Sequence, residues 1–249
     1  MARRGKIAAE VARRLMREAT DRKLVPGDHL AAEHELIERL GVARGSVREG
    51  LRLLETMGAV RLRRGAGGGA TLAKPQPEQL ASSVAMMLEW SEGTLGTVLE
   101  ARNVIEPTMA AFAAQRRKDD HLAELHELVT ELRASVKDSA RFHFANRRFH
   151  DVVAEASGNA LLAALMPSLS WMSAAVGWEL PERVRKKVAE DKAAIAEAIE
   201  TGDSWLASER MRRMTASVEE IERRNPGFLS QPIVWADVDE LLEDHLNGI

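Results

Sequence analysis

Cysteine is absent from the 249 residues, which excludes disulfides, zinc–thiolate sites and thiol catalysis. No apolar run approaches the roughly 18–20 residues needed to span a bilayer. The opening MARRGKIAAEVARRL carries arginines but not the apolar core that follows them in a signal peptide. A cytoplasmic protein with no membrane partner is the expectation. Catalytic signatures are missing too: there is no H-E-x-x-H helix, nucleophile elbow or phosphate loop. The 7 histidines are scattered. Gly65, Gly67 and Ala70 match the letters of a dinucleotide-binding fingerprint, but that motif must open a helix. Here the glycines run into Thr71-Leu72-Ala73-Lys74-Pro75, which cannot start one. No enzyme and no cofactor are expected.

What is present is a core-forming composition with lopsided charge. Hydrophobic residues make up 45% of the chain, enough for a globular protein. Residues 1–74 hold 16 Lys/Arg against 9 Asp/Glu, whereas the remainder holds 19 against 29. A basic head on an acidic body points to a polyanionic partner for the head alone.

Periodicity divides the chain in the same place. Ile7, Val11, Leu15 and Met16 recur at helical spacing, and Pro26-Gly27 breaks the chain. Two short helices follow, separated by a turn at Gly41–Arg44. Val60 and Leu62 alternate with Arg61 and Arg63 as in a strand, and Thr71–Ala73 can return as its hairpin partner around a glycine-rich tip. Pro75 and Pro77 mark a linker at 75–79, which closes a domain at 1–74. Helices are expected at 78–89, 94–117, 119–136, 139–157, 159–177, 181–201 and 204–224, with Gly158-Asn159 and Gly202-Asp203 as stop and start signals. Pro107 and Pro167 should kink the helices that contain them. These helices form a second domain at 80–225, followed by a tail at 226–249 that reads either as an arm packing on a partner or as a frayed end. The expected fold is mainly α: a winged helix-turn-helix with a small β-hairpin, then an all-α bundle.

The helix beginning near Arg44 carries the chemistry. Arg44, Arg48 and Arg52 stack on one face, and Val47, Leu51 and Leu54 form an apolar stripe opposite. An element with a basic face and a greasy face suits a major groove. Arg44 and Arg48 lie roughly 6 Å apart along the axis, placing two guanidinium forks over adjacent base pairs or phosphates. Arg52 is expected to meet backbone phosphate or solvent. Gly45 and Ser46, at the helix start, allow close approach with free N–H groups for phosphate. Arg61, Arg63 and Arg64 flank the Gly65–Gly67 tip, which would reach a groove as a wing.

The pattern Val25-Pro26-Gly27, Leu30, Glu33, Leu36, Leu40-Gly41-Val42, Arg44, Val47-Arg48-Glu49, Leu51, Leu54-Glu55, Gly58 and Arg64-Gly65 resembles the winged helix-turn-helix of GntR-family bacterial transcription regulators over about residues 6–73. The resemblance implies DNA contacts from Arg44, Gly45, Ser46 and Arg48, and a minor-groove approach by Gly65. His34 stands where that family often has Arg, Ala43 where it has Ser or Thr, and Gly45 where it has a bulkier residue.

The helical remainder resembles the FadR-type effector domain of the same family, through Glu100-Ala-Arg102-Asn-Val-Ile-Glu106-Pro107 and Phe142-His-Phe-Ala-Asn146-Arg-Arg-Phe149-His150, ending in Ala156-Ser157-Gly158-Asn159. In many relatives one Asp and three His hold a divalent metal there. The matching positions are Asn146, His150, Asp191 and Met214, a degenerate set from which a hard or borderline ion loses much of its cage. These four, with Arg102 and Glu106, are the expected effector-binding residues, and no metal ligand is assigned. Arg102 and Glu106, four apart, form at least an intrahelical pair. The resemblance adds that Arg102 receives a carboxylate in two-pronged fashion. Met109, Met166, Met172, Met211 and Trp171 are available to line an apolar cavity. Met214 in place of a histidine favours a fatty or aromatic acid, or its thioester, over a sugar acid.

The function so implied is a homodimeric repressor that reads a pseudo-palindromic double-stranded operator and is released by a small carboxylate or acyl effector. The rivals are a metal-assisted hydrolase using His150 and Asp191, and an architectural DNA binder without an effector.

Overall fold

The computed structural model describes residues 2–63, 69–177, 179–216 and 226–247. The chain divides into two compact units, Met1–Gln79 and Leu80–Ile249.

In the first unit, α1 (Ala2–Asp21) leads to β1 (His29–Ala31), α2 (Glu33–Leu40), α3 (Arg44–Thr56), β2 (Val60–Arg63) and β3 (Gly69–Leu72). The sheet has three strands in the order β1-β3-β2, not the two of a simple hairpin. β2 and β3 pair antiparallel, Val60 opposite Leu72 and Arg63 opposite Gly69. β1 adds to the other edge of β3, and the His29 ring nitrogen lies 2.9 Å from the Ala70 carbonyl. Three residues are too short to show alternation, so this strand left no periodic trace in the sequence. Gly41 closes α2 in the left-handed conformation, its N–H bonded to the Ile37 carbonyl. The apolar stripe of α3 is buried as its spacing predicts, with Val47 at 0% and Leu54 at 3% exposure. It packs with Val11 and Leu15 of α1, Leu36 and Leu40 of α2, and Val60 and Leu72 of the sheet. Gly50 lets α1 and α3 approach, since a Cβ there would stand 2.7 Å from Val11 Cγ1.

The second unit contains α5 (Leu95–Arg116), α6 (Asp119–Ala134), α7 (Ser139–Ala156), α8 (Ala160–Ala175), α9 (Glu182–Glu200), α10 (Ser204–Ala216) and α11 (Trp235–Asn247); α4 (Pro77–Trp90) leads into it across the boundary between units. Side-chain caps start four helices: Thr94 accepts the Thr97 N–H, Asp138 that of Arg141, Asn159 those of Leu161 and Leu162, and Asp203 that of Leu206. α5 is central, packing against α7, α8, α9 and α10. Pro107 and Pro167 lie within helices that continue on both sides of them. Met109, Met166, Met172 and Met211 are completely buried in the bundle core.

Over its described residues the tail packs on its own chain. The Trp235 backbone N–H donates to Glu89 and its indole N–H to Ser82, whose hydroxyl donates to Asp239. Ile233 and Val238, both 1% exposed, join the core, and α11 lies against α8. The sequence-level helix at 204–224 is described as far as Ala216, and 217–225 fall outside the described residues. No described helix is long and apolar enough to cross a membrane.

Candidate DNA-binding face and effector site

On α3, Arg44 and Arg48 are exposed and converge on one atom. Arg44 Nε donates to Glu33 Oε1 at 2.8 Å, and Arg48 Nε to the same oxygen at 2.9 Å. Glu33 is the first residue of α2, so the turn between the two helices folds one carboxylate under both guanidinium groups. Hydrogen bonding from Arg44, with Arg48 adding to it, outweighs the partial burial of that carboxylate and lowers its pKa. Each arginine spends its Nε on the clamp, and the Nη ends are the atoms a bidentate contact to guanine uses. Arg52 pairs with Glu49 at 3.2 Å and stays exposed. His34 is exposed on α2, and Gly45 is half-buried at the start of α3.

Ser46 departs from expectation. It is 5% exposed, and its N–H is bonded to the Ala43 carbonyl at 2.8 Å. A position two residues into a helix already turns towards the interior, so its amide is not available to a phosphate; Arg44 and Gly45 hold the amides that precede that bond. Arg64, Gly65 and Gly67 lie outside the described residues.

Glu33 is a positioning residue whose removal separates geometry from charge. In Glu33→Ala the ratio of specific to non-specific DNA affinity should fall about tenfold, roughly 1.4 kcal/mol. Thermal stability should barely move, because exposed ion pairs contribute about 0–1 kcal/mol each. Glu33→Gln keeps an acceptor and should restore most of the ratio. Gel shifts against operator and scrambled duplexes read both, and an unchanged ratio in Glu33→Ala would rule the clamp out.

In the second unit, a buried polar cluster gathers from α5, α7, α8 and α9. Arg102 Nε donates to Glu106 Oε1 at 2.7 Å, and its Nη1 donates to Ser173 Oγ at 3.3 Å. The side chains are 13% and 1% exposed, so this is no surface pair. Burial works against the Glu106 carboxylate, but the Arg102 guanidinium outweighs it and holds the group ionised, well below the usual carboxylate range. His150 Nδ1 lies 3.2 Å from Glu106 Oε2 but off the line a hydrogen bond requires, so both atoms are left without a hydrogen-bond partner. Burial pushes the His150 pKa down to about 4 against the pull of Glu106, which keeps the ring neutral. Beside it, burial raises Asp151 to about 7, Arg148 acting in the opposite sense, and Asp151 Oδ1 is a third unpartnered atom.

One residue of the expected set sits apart from this cluster. Asp191 is half-buried on α9, its carboxylate turned to the exposed Lys187 at 2.5 Å. Lys192 takes the inward place: it is fully buried, donates to the Asn146 backbone carbonyl at 3.2 Å, and lies 4.2 Å from the centre of the Phe149 ring. One residue is about 100° of helix rotation, which separates an inward side chain from an outward one. The signal was present, since the buried stripe Arg185, Ala189, Lys192, Ala196 and Ile199 runs through 192 at three- and four-residue steps. Met214 is buried at 9% on α10, and Asn146 is half-buried on α7 one turn from His150.

Residues 7–68 match the family of bacterial regulatory proteins of gntR type, and residues 97–217 match the FCD domain. The HTH-type transcriptional regulator LutR of Bacillus subtilis is 30% identical over 148 residues, which cover 59% of this chain and 67% of LutR. The chain belongs to the GntR family. Other GntR relatives include the galactonate operon transcriptional repressor of Escherichia coli, 27% identical over 78% of this chain and 87% of the repressor. The transcriptional repressor NanR of Cronobacter sakazakii is 26% identical over 99% of this chain and 85% of its own length. Among solved structures, a GntR protein of Streptococcus agalactiae superposes with a TM-score of 0.67 at 25% identity, covering 86% of this chain and 99% of that one. This GntR protein is therefore a transcription regulator built from a DNA-binding helix-turn-helix and an FCD effector-binding domain.

Proposed function

We propose that this protein is a cytoplasmic, homodimeric, non-enzymatic repressor that binds a pseudo-palindromic operator and is released by a small organic acid. The observation that carries the reading is the pair of exposed guanidinium groups, Arg44 and Arg48, held side by side on one Glu33 oxygen at the start of α3. Arg52 and His34 flank them, and Gly45 admits the backbone. The DNA-reading segment in this proposal is 1–74, joined through 75–79 to an effector and dimerisation segment at 80–225.

The effector reading is supported by Arg102, Glu106, Asn146 and His150, with Lys192 in the place first given to Asp191. Three buried polar atoms without hydrogen-bond partners in one cluster cost stability, and a ligand carrying hydroxyl groups would satisfy them. Arg102 and Lys192 make the cluster more polar than Met214 alone implied, which moves the proposal towards a small organic acid and away from a long acyl chain. The relative named for the galactonate operon agrees with that direction. Effector binding favours the conformation with lower operator affinity, and the operator disfavours the effector to the same extent.

Selection of binding sites from random duplexes should return an inverted repeat, with half-sites about one helical turn apart. Thermal-shift screening with organic acids should find compounds that raise the melting temperature and release the selected duplex in gel shifts. Recovery of no preferred sequence, or binding independent of salt, would overturn the DNA-binding reading.

A further inference from the structure

The position a metal would take in the helical unit is built around a lysine. The four places matched to metal ligands by resemblance do not make a cage in this chain. Asp191 is engaged with the exposed Lys187, Met214 offers a soft thioether, and Asn146 offers a neutral amide. Among the described residues no three His, Asp or Glu side chains converge as an ion's ligands. His150 Nδ1 lies 3.2 Å from Glu106 Oε2 without the alignment of a hydrogen bond, and Glu106 holds Arg102 through its other oxygen.

Lys192 enters this group from α9. Its Nζ is bonded to the carbonyl of Asn146 and sits over Phe149, both on the helix that carries His150. Burial pushes its pKa well below the ordinary lysine value, Arg102 acting in the same sense and Glu106 and Asp151 in the opposite one, and His150 is the remaining titratable group of the cluster. This fully buried amine, bonded to a carbonyl and stacked on an aromatic face, fills the interior position with a side chain of the chain's own. A divalent ion added beside it would meet the Arg102 guanidinium and the Lys192 amine, with the one ionised carboxylate, Glu106, already engaged by Arg102.

We propose that the Lys192 side chain fills the space a divalent metal would need in this site, making the effector domain metal-independent. The inference rests on the effector-site reading for its purpose but not for its test, which uses the free protein without DNA or effector.

The full chain, dialysed against chelator and then exposed to Zn²⁺, Ni²⁺ or Mn²⁺ alone, is assayed by elemental analysis and by thermal shift. Wild type should retain less than about one-tenth of an ion per chain and show no metal-dependent rise in melting temperature. Asn146→Asp combined with Lys192→His sets Asp, His150 and His around the same point, and should gain about one Zn²⁺ per chain. Stoichiometric metal in wild type that is lost in His150→Ala would overturn the proposal. So would a double variant that keeps its circular dichroism spectrum but takes up no metal, since Lys192 would then not stand at the ion's position. Should the double variant not fold, Lys192→His alone carries the same two outcomes. Operator gel shifts in chelator are run separately: their loss bears on the regulator reading, not on Lys192.

Discussion

Glu106→Ala is expected to lower the melting temperature of the helical unit by roughly 6–20 °C. Glu106 is 1% exposed and holds Arg102 through a 2.7 Å bond, with His150 against its other oxygen. Removing one partner of a buried pair leaves the remaining charge uncompensated, which costs about 3–5 kcal/mol. For a domain of this size each kcal/mol corresponds to about 2–4 °C. Arg102 would retain only the Ser173 hydroxyl at 3.3 Å among its described partners. Lys192 would lose the larger of the two attractions that oppose the cost of its burial. Calorimetry of Glu106→Ala, Arg102→Ala and the double variant forms the test. The double variant should cost less than the sum of the two, because each single change strands the other's charge. A fall below about 2 °C in Glu106→Ala would mean that water screens the pair, contrary to its burial.

The second large effect is on DNA. Arg44→Ala with Arg48→Ala should reduce specific operator affinity at least about 100-fold, since one bidentate arginine–guanine contact is worth roughly 1–3 kcal/mol of discrimination. Both side chains are more than half exposed, so stability should change little. The two substitutions share Glu33 and will not add simply. Lysine at both positions is the sharper variant. It keeps the charge, and with it most of the non-specific binding and its salt dependence, yet lacks the planar fork that reads a base edge. Selection with the lysine variant should return weakened or altered half-sites. The original operator preference at undiminished strength would show that Arg44 and Arg48 do no more than neutralise phosphate.

Much of this architecture was legible in the residues. Amphipathic spacing and glycine or proline punctuation place every described helix of the second unit before Ala216 to within about two residues. The stripe Val47, Leu51 and Leu54 set which face of α3 is buried, and hence which face shows arginine. β1 escaped notice because three residues carry no period. The tail escaped because its anchors, Ser82 and Glu89, are about 150 positions away in the chain.

Ser46 and Asp191 take positions that a motif match does not foretell, for another reason. A motif match assigns a residue to a site by its place in the chain, whereas one step along a helix turns a side chain by about 100°. Asp191 carries the chemistry a ligand position suggests and faces Lys187; its neighbour Lys192 faces the interior.

What the sequence by itself determined was the order of helices, the basic head, the arginine face and the family. What only the tertiary structure decided was which charges meet. Helical periodicity is local and can be read from a dozen residues, but Glu33 finds Arg44 and Arg48 only once two helices have turned on each other. Arg102, Glu106, His150 and Lys192 come from three helices and span 90 positions. Their burial as a group depends on how those helices pack, and packing is where the free energy of a buried charge is set.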